Sequence, residues 1–216
     1  MKLLAVIWNL LFPPKCVLCG KILGDGEQDL CRECRVEAPL YPNRKRKLQF
    51  LDSFAAVWYY EKNIRRSLLR FKFYGRRSFA RSYGRLLAME LLNEHPDGFD
   101  ILTWIPVSRL RKLRRGYDQV ELIAKAVGKE LGITPVPVLR KIRGNPPQAR
   151  ITGEAKRRAN VLGVYAVLPG ADVAGKKIVL LDDILTTGAT MGEAARVLLT
   201  AGAREVHGAA VAAVKK

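Results

Sequence analysis

The stretch from Ile178 to Thr190 constrains this chain more than any other. Ile178, Val179, Leu180 and Leu181 form an unbroken β-branched and apolar run. Such a run suits the central strand of a parallel sheet covered on both faces. Asp182 and Asp183 follow without a break, then Thr186, Thr187, Gly188, Ala189 and Thr190, then a helical pattern from Gly192 to Ala201. Strand, turn and helix in that order place the turn beyond the carboxyl end of a strand. Open parallel sheets hold their ligands there.

The residues in the turn specify a chemistry. A helix N-terminus offers unpaired backbone N–H groups and a partial positive charge. Gly188 lets the backbone come close to a ligand, and three threonine hydroxyls add donors. Together they form a cradle for a phosphate monoester. Adjacent carboxylates accept hydrogen bonds from a vicinal diol and help to hold magnesium directly or through water. A diol, a phosphate and magnesium describe phosphoribosyl diphosphate (PRPP). An ordinary capped turn needs one Asp or Thr. Two acids, three threonines and a glycine exceed that need. No Gly-x-x-x-x-Gly-Lys-Ser/Thr occurs and no Gly-x-Gly-x-x-Gly opens a helix, so a P-loop and a dinucleotide fold are unsupported.

The remaining periodicity is that of an α/β chain. Strands are predicted at Phe54–Tyr60, Ile101–Ile105 (closed by Pro106), Val136–Leu139, Val161–Val167 and Val206–Val214. Helices are predicted at Ile64–Phe71, Phe79–Leu92 and Tyr117–Leu131, the last ended by Gly132. Their alternation implies a mainly parallel sheet with helices on both faces. Ser108 to Arg115 reads as a basic loop. Arg140 to Asn160 reads as a long mobile segment whose Gln148, Arg150, Arg157 and Arg158 could close over a ligand. His95 and His207 stand isolated and receive no role.

Cys16, Cys19, Cys31 and Cys34 form two Cys-x-x-Cys pairs near the N-terminus. Four thiolates suit tetrahedral zinc with no ligand position left open, hence a structural site. A redox Cys-x-x-Cys is the alternative, and two matched pairs favour the metal. Met1 to Phe12 is apolar, too short to span a bilayer, and followed by Pro13 and Pro14 rather than a small-residue cleavage site. It reads as a helix that docks on the core or on a partner. The expected compartment is the cytoplasm, with association at the inner face of the membrane as the alternative. No integral membrane span is expected. The division is residues 1–48 for this helix and the four-cysteine, zinc-finger-like subdomain, and 49–216 for the larger α/β domain.

Arg and Lys number 38 against 20 acids, a formal charge of +18. Phosphorylated small molecules and nucleic acid both suit such a balance. Arg111, Lys112, Arg114 and Arg115 are the nucleic-acid candidates, with the strap Arg44 to Lys47. Tyr74, Trp104 and Tyr117 are candidate stacking residues, although Trp104 reads better as core.

Asp182 to Thr190 resembles the PRPP signature of type I phosphoribosyltransferases. Three further features extend that resemblance to the ComF family of competence-associated proteins, over essentially the whole chain. These are the paired cysteines behind Leu10 to Pro14, the run Arg114-Arg115-Gly116-Tyr117-Asp118-Gln119 after Ile105 to Val107, and Gln148, Arg157, Arg158, Asn160 and Gly163. Asp118 stands where the family often has asparagine. The resemblance implies the type I phosphoribosyltransferase fold with a small N-terminal zinc-binding subdomain of four cysteines, structural zinc, and magnesium arriving with PRPP. It implies Asp182 and Asp183 as the catalytic pair facing the ribose hydroxyls. Thr186, Thr187, Gly188, Ala189 and Thr190 would wrap the 5′-phosphate, and Ser108 and Arg109, with Lys72 a weaker candidate, would receive diphosphate. The implied setting is natural competence and DNA uptake, with single-stranded DNA and a competence helicase or other DNA-uptake protein as partners. An active phosphoribosyltransferase of nucleotide metabolism with unknown acceptor, and a non-catalytic PRPP sensor, are the alternatives.

Overall fold

The structure is a computed structural model, and it describes residues 13–42, 47–143 and 160–215. In chain order these form α1 (Arg32–Glu37), β1 (Ser53–Tyr59), α2 (Lys62–Phe73), α3 (Phe79–Glu94), β2 (Ile101–Trp104), α4 (Arg109–Arg115), α5 (Gln119–Leu131), β3 (Leu139–Lys141), β4 (Tyr165–Val167), β5 (Lys177–Leu185), α6 (Ala189–Thr200) and β6 (Glu205–Ala213). Four strands pair in parallel in the order β1-β6-β5-β2. β5 is interior, as its apolar run requires.

Alternation along β5 sorts its side chains between two cores. Val179 and Leu181 pack with Leu68 of α2, Leu87 of α3 and Ile123 of α5. Ile178 and Leu180 pack with Ala194, Ala195 and Leu198 of α6 on the other face, and Leu185 joins them out of phase at the end of the strand. On the first face α3 and α5 touch closely: a Cβ on Gly84 would stand 2.3 Å from the Ala126 Cβ. No larger residue fits there without parting the helices.

The cysteine module shares the first core. Cys16, Val17, Leu18, Leu23, Leu30, Cys31 and Cys34 cluster with Ile64, Leu68 and Tyr83. Polar groups reinforce the contact. The Ser67 hydroxyl donates to the Val17 carbonyl and Arg70 to the Leu18 carbonyl. Arg85 of α3 grips Asp29 bidentately, with Nε 2.8 Å from Oδ2. Fork geometry makes such a pair directional as well as attractive.

Three elements differ from expectation. Ser108 to Arg115 is not a loop. It holds the helix α4, with Ser108 as N-cap and Gly116 as a left-handed C-cap at φ 75°. Leu, Arg and Lys are all strong helix formers, and between a Ser cap and a Gly cap their propensity outweighs mutual charge repulsion. The strand expected at Val136–Leu139 begins at Leu139, because Pro135 and Pro137 lack the N–H a ladder needs. It pairs antiparallel with Tyr165–Val167 as a two-stranded ribbon outside the main sheet. The strand expected from Val161 is reduced to that partner, since residues 160–161 are helical. The Met1–Phe12 helix, Arg44 to Arg46 of the strap, and Gln148, Arg150, Arg157 and Arg158 lie outside the described residues. Among the described residues no helix is long and apolar enough to cross a membrane.

Candidate ligand cleft and metal centre

A cleft opens where β2 ends early. The Ile105 N–H donates to the Leu181 carbonyl at 2.9 Å, and Pro106 then has no N–H to continue the ladder. β5 runs on through Asp182, Asp183, Ile184 and Leu185, paired there with β6 alone. The unpaired flank of β5 borders a space of about 740 Å³. Asp182, Asp183, Ile184, Thr186 and Thr190 line it from β5 and the following turn. Arg111, Arg114 and Arg115 of α4 line it, as do Lys72 and Phe73 at the end of α2 and Lys141 and Tyr165 of the β3–β4 ribbon.

The two acids differ in surroundings. Asp183 is 5 % exposed. Its Oδ1 takes the Lys72 ammonium at 2.8 Å and its Oδ2 the Gln119 Nε2 at 2.9 Å. Asp182 Oδ1 accepts the Asp183 N–H at 2.7 Å. Burial, and then the charge of Asp183, push the Asp182 carboxyl up to about 8, with Lys72 pulling the other way. The cations are not ordinary surface groups either. Burial lowers the pKa of Arg115, whose Nη1 donates to Gln119 Oε1 at 2.7 Å and whose guanidinium stands 4.9 Å from the centre of the Phe73 ring. Burial, with the charge of Arg111, brings Lys141 down to about 8. Gly188 has φ 90° as the N-cap of α6, and a Cβ there would lie 2.7 Å from Leu48 Cδ2.

The four cysteine Sγ atoms all lie within 4.8 Å of one another. Cys19 and Cys31 are 3.7 Å apart, and a tetrahedron of thiolates about 2.3 Å from zinc sets its sulfurs roughly 3.8 Å apart. None of the four is in a disulfide, and Cys16, Cys31 and Cys34 are buried. The Lys21 N–H donates to Cys19 Sγ at 3.5 Å, a contact that orients a metal-bound thiolate. The donor set fits zinc in a closed, structural role.

Comparison with known proteins gives two domain matches. Residues 121–216 match the phosphoribosyl transferase domain and residues 7–45 the double zinc ribbon domain. Competence protein ComFC of Bacillus subtilis (strain 168) is 28 % identical over 87 % of this chain and 72 % of its own length. Competence protein ComFC of Streptococcus pneumoniae is 27 % identical over 89 % of this chain and 96 % of its own length. DNA utilization protein YhgH of Salmonella typhimurium is 30 % identical over 63 % of this chain and 61 % of its own length. The chain is thus similar over most of its length to competence proteins of the ComF type. Its fold is the type I phosphoribosyltransferase fold with an N-terminal zinc ribbon of four cysteines.

This fold gathers some of the candidate residues and separates others. Thr186 and Thr190 face the cleft, whereas Thr187, Gly188 and Ala189 make the turn between them, with the Ala189 N–H donating to the Thr187 hydroxyl at 3.3 Å. Lys72 reaches the cleft bound to Asp183. Ser108 and Arg109 do not line it: the Ser108 hydroxyl accepts the Arg111 N–H at 3.4 Å, and Arg109 is exposed. Arg111, Arg114 and Arg115, read from sequence as nucleic-acid candidates, border the same space as the acids. Lys112 turns away to Glu121, 3.0 Å distant. Tyr117 is not a free stacking platform. It is buried, its hydroxyl donates to the Phe71 carbonyl, and Arg77 stands 4.7 Å from its ring centre. Trp104 is core. Of the three aromatic candidates Tyr74 alone is exposed, at 74 %, next to Phe73 at 61 %. Sequence reasoning missed Gln119, Lys141 and Tyr165 as cleft residues. Gln119 carried a local signal, since it ends the Arg114–Gln119 run. Lys141 and Tyr165 carried none, because only the pairing of β3 with β4 brings them to the cleft.

Proposed function

We propose that this chain is a protein of the ComF type that binds PRPP with magnesium in the cleft beside β5. One observation supports the reading above others: two acids, the threonine-rich turn and three α4 arginines border one space. An acid pair suits the ribose diol, the start of α6 suits the 5′-phosphate, and planar guanidinium groups suit the diphosphate. Magnesium, when bound with PRPP, neutralises diphosphate charge. Asp182 is the carboxylate with capacity for it, since Asp183 has both oxygens engaged. Calorimetric titration of PRPP with magnesium tests the reading. Saturable binding that disappears in Asp182→Asn/Asp183→Asn is expected, and undiminished binding in that variant would sink it.

Single-stranded DNA is the second ligand of this proposal. Relatives named for competence and DNA utilization support it, as do the charge of +18 and the exposed Phe73 and Tyr74 at the rim, with Arg76 following. Stacking rings beside cations suit single strands. Affinity that falls steeply with salt and weakens in Tyr74→Ala is expected; salt-insensitive or absent binding excludes this part.

Phosphoribosyl transfer is a further reading, favoured by the arginine wall facing the acids. The C1–O bond of PRPP would break with its electron pair leaving on diphosphate, while an acceptor lone pair bonds to C1. α4 would stabilise the departing charge, and the carboxylates would face the oxocarbenium-like centre. Diphosphate release dependent on an acceptor tests it.

A further inference from the structure

Gln119 is the first residue of α5 and is 4 % exposed. Its amide meets two groups of opposite charge. Nε2 donates to Asp183 Oδ2 at 2.9 Å, and Oε1 accepts from Arg115 Nη1 at 2.7 Å. With Lys72 on the other Asp183 oxygen, a continuous line Arg115–Gln119–Asp183–Lys72 joins α4 to α2 beside the cleft.

Neighbouring residues fix Gln119 itself. Asp118 Oδ1 accepts the Val120 and Glu121 N–H groups at 2.9 and 3.2 Å, capping α5. Its Oδ2 accepts the Val107 N–H at 3.1 Å and so ties α5 to the segment after β2. Tyr117 anchors the same turn to the Phe71 carbonyl. Tyr117 and Asp118 thus hold the turn in place, and Gln119 touches both charges of the cleft.

An amide suits this position for a stated reason. It presents an acceptor to a cation and a donor to an anion at once, and adds no charge. A carboxylate there would repel Asp183. An apolar side chain would leave a buried carboxylate oxygen and a half-buried guanidinium short of partners. Asparagine is one methylene shorter.

We propose that Gln119 is a positioning residue for the PRPP site, setting the spacing and orientation of Asp183 and Arg115 before ligand arrives. The proposal rests on the PRPP reading. It assigns Gln119 no contact with the ligand; it acts through the acid that faces ribose and the cation that faces diphosphate.

The test uses the full zinc-bound chain as native protein, Gln119→Leu and Gln119→Glu, titrated with magnesium and PRPP at pH 5.5, 7.0 and 8.5. Thermal melts serve as the folding control. Gln119→Leu is expected to weaken PRPP binding by about tenfold or more, the scale of leaving a buried charged partner unsatisfied. Gln119→Glu is expected to show a similar deficit at pH 8.5 that shrinks at pH 5.5. A protonated carboxyl regains an O–H for Asp183 and keeps a carbonyl for Arg115. A merely structural role would not produce that pH-dependent rescue, and the Glu series carries the test if the Leu variant does not fold. Native binding with both variants within about twofold of native at every pH overturns the inference, as does a Glu deficit that ignores pH. Absence of PRPP binding by the native chain overturns the PRPP reading itself, and the inference with it.

Discussion

The cysteine cluster and the cleft are both built from polar side chains held against an apolar core, and they are finished to different degrees. Cys16, Cys19, Cys31 and Cys34 converge within 4.8 Å and offer a metal a complete shell. The cleft draws Lys72, Arg111, Arg115, Gln119, Lys141 and Asp182 from α2, α4, α5, β3 and β5, and its internal bonds leave capacity at Asp182 and at the arginines. A closed site needs only a short stretch of chain and a metal. An open site needs the whole fold to hold charges that would otherwise repel or collapse on one another. The first should fail as a unit, and the second should respond in graded steps.

Removing the metal should therefore have the largest effect. Val17 and Leu18 lie in the main core between Cys16 and Cys19, so Cys16→Ser or chelation should lower stability by about 3 kcal/mol or more and the melting temperature by roughly 10 °C. Calorimetric melting beside metal analysis checks this. An unchanged melt after complete metal loss would erase the contrast between the two regions.

Single changes at the acids come next and should differ in sign. Asp183→Asn leaves Lys72 without its ion partner in a buried setting and should destabilise the fold by about 2–4 kcal/mol. Asp182→Asn should do the reverse at high pH. The Asp182 pKa is raised in the folded chain to about 8, so its contribution is fully present below the ordinary carboxyl range and is lost as pH rises towards 8. The variant should melt above native protein at pH 8 and alongside it at pH 4.

A smaller effect accompanies ligand. With Asp182 largely protonated at pH 7 in the empty cleft, magnesium–PRPP binding should release a fraction of a proton up to about one. Titration in buffers of different ionisation enthalpy reads this directly. The smallest effect lies away from the cleft. His95 is held down to about 4 by burial, with its ring 4.3 Å from that of His207. Its contribution to stability is present above the ordinary histidine range and is lost as pH falls from about 6.5 through 4. Melts of His95→Phe should flatten that slope.

The same contrast governs what is legible in the sequence. The cysteine ligands stand out because their spacing is local. β5 is legible because a strand covered on both faces must be apolar throughout, and the turn after it because its residue types crowd a few positions. α4 is harder to read: seven residues with five cations look like a solvated loop, whereas the Ser108 and Gly116 caps specify a helix. Arg111, Arg114 and Arg115 then point to nucleic acid, because nothing local says that a helix turns them toward Asp182. Lys141 and Tyr165 reach the cleft through a ribbon formed across the chain, and no window of sequence contains that pairing.

α2 ties the two regions together. Its middle holds the carbonyls of Val17 and Leu18 through Ser67 and Arg70, and its last turn holds Asp183 through Lys72. Cutting the zinc ribbon away to obtain a minimal phosphoribosyltransferase domain would uncover one side of Leu68 and take from Ser67 and Arg70 the carbonyls they bind. Anyone trimming the chain for crystallisation, or grafting the ribbon onto another scaffold, would have to redesign α2 first.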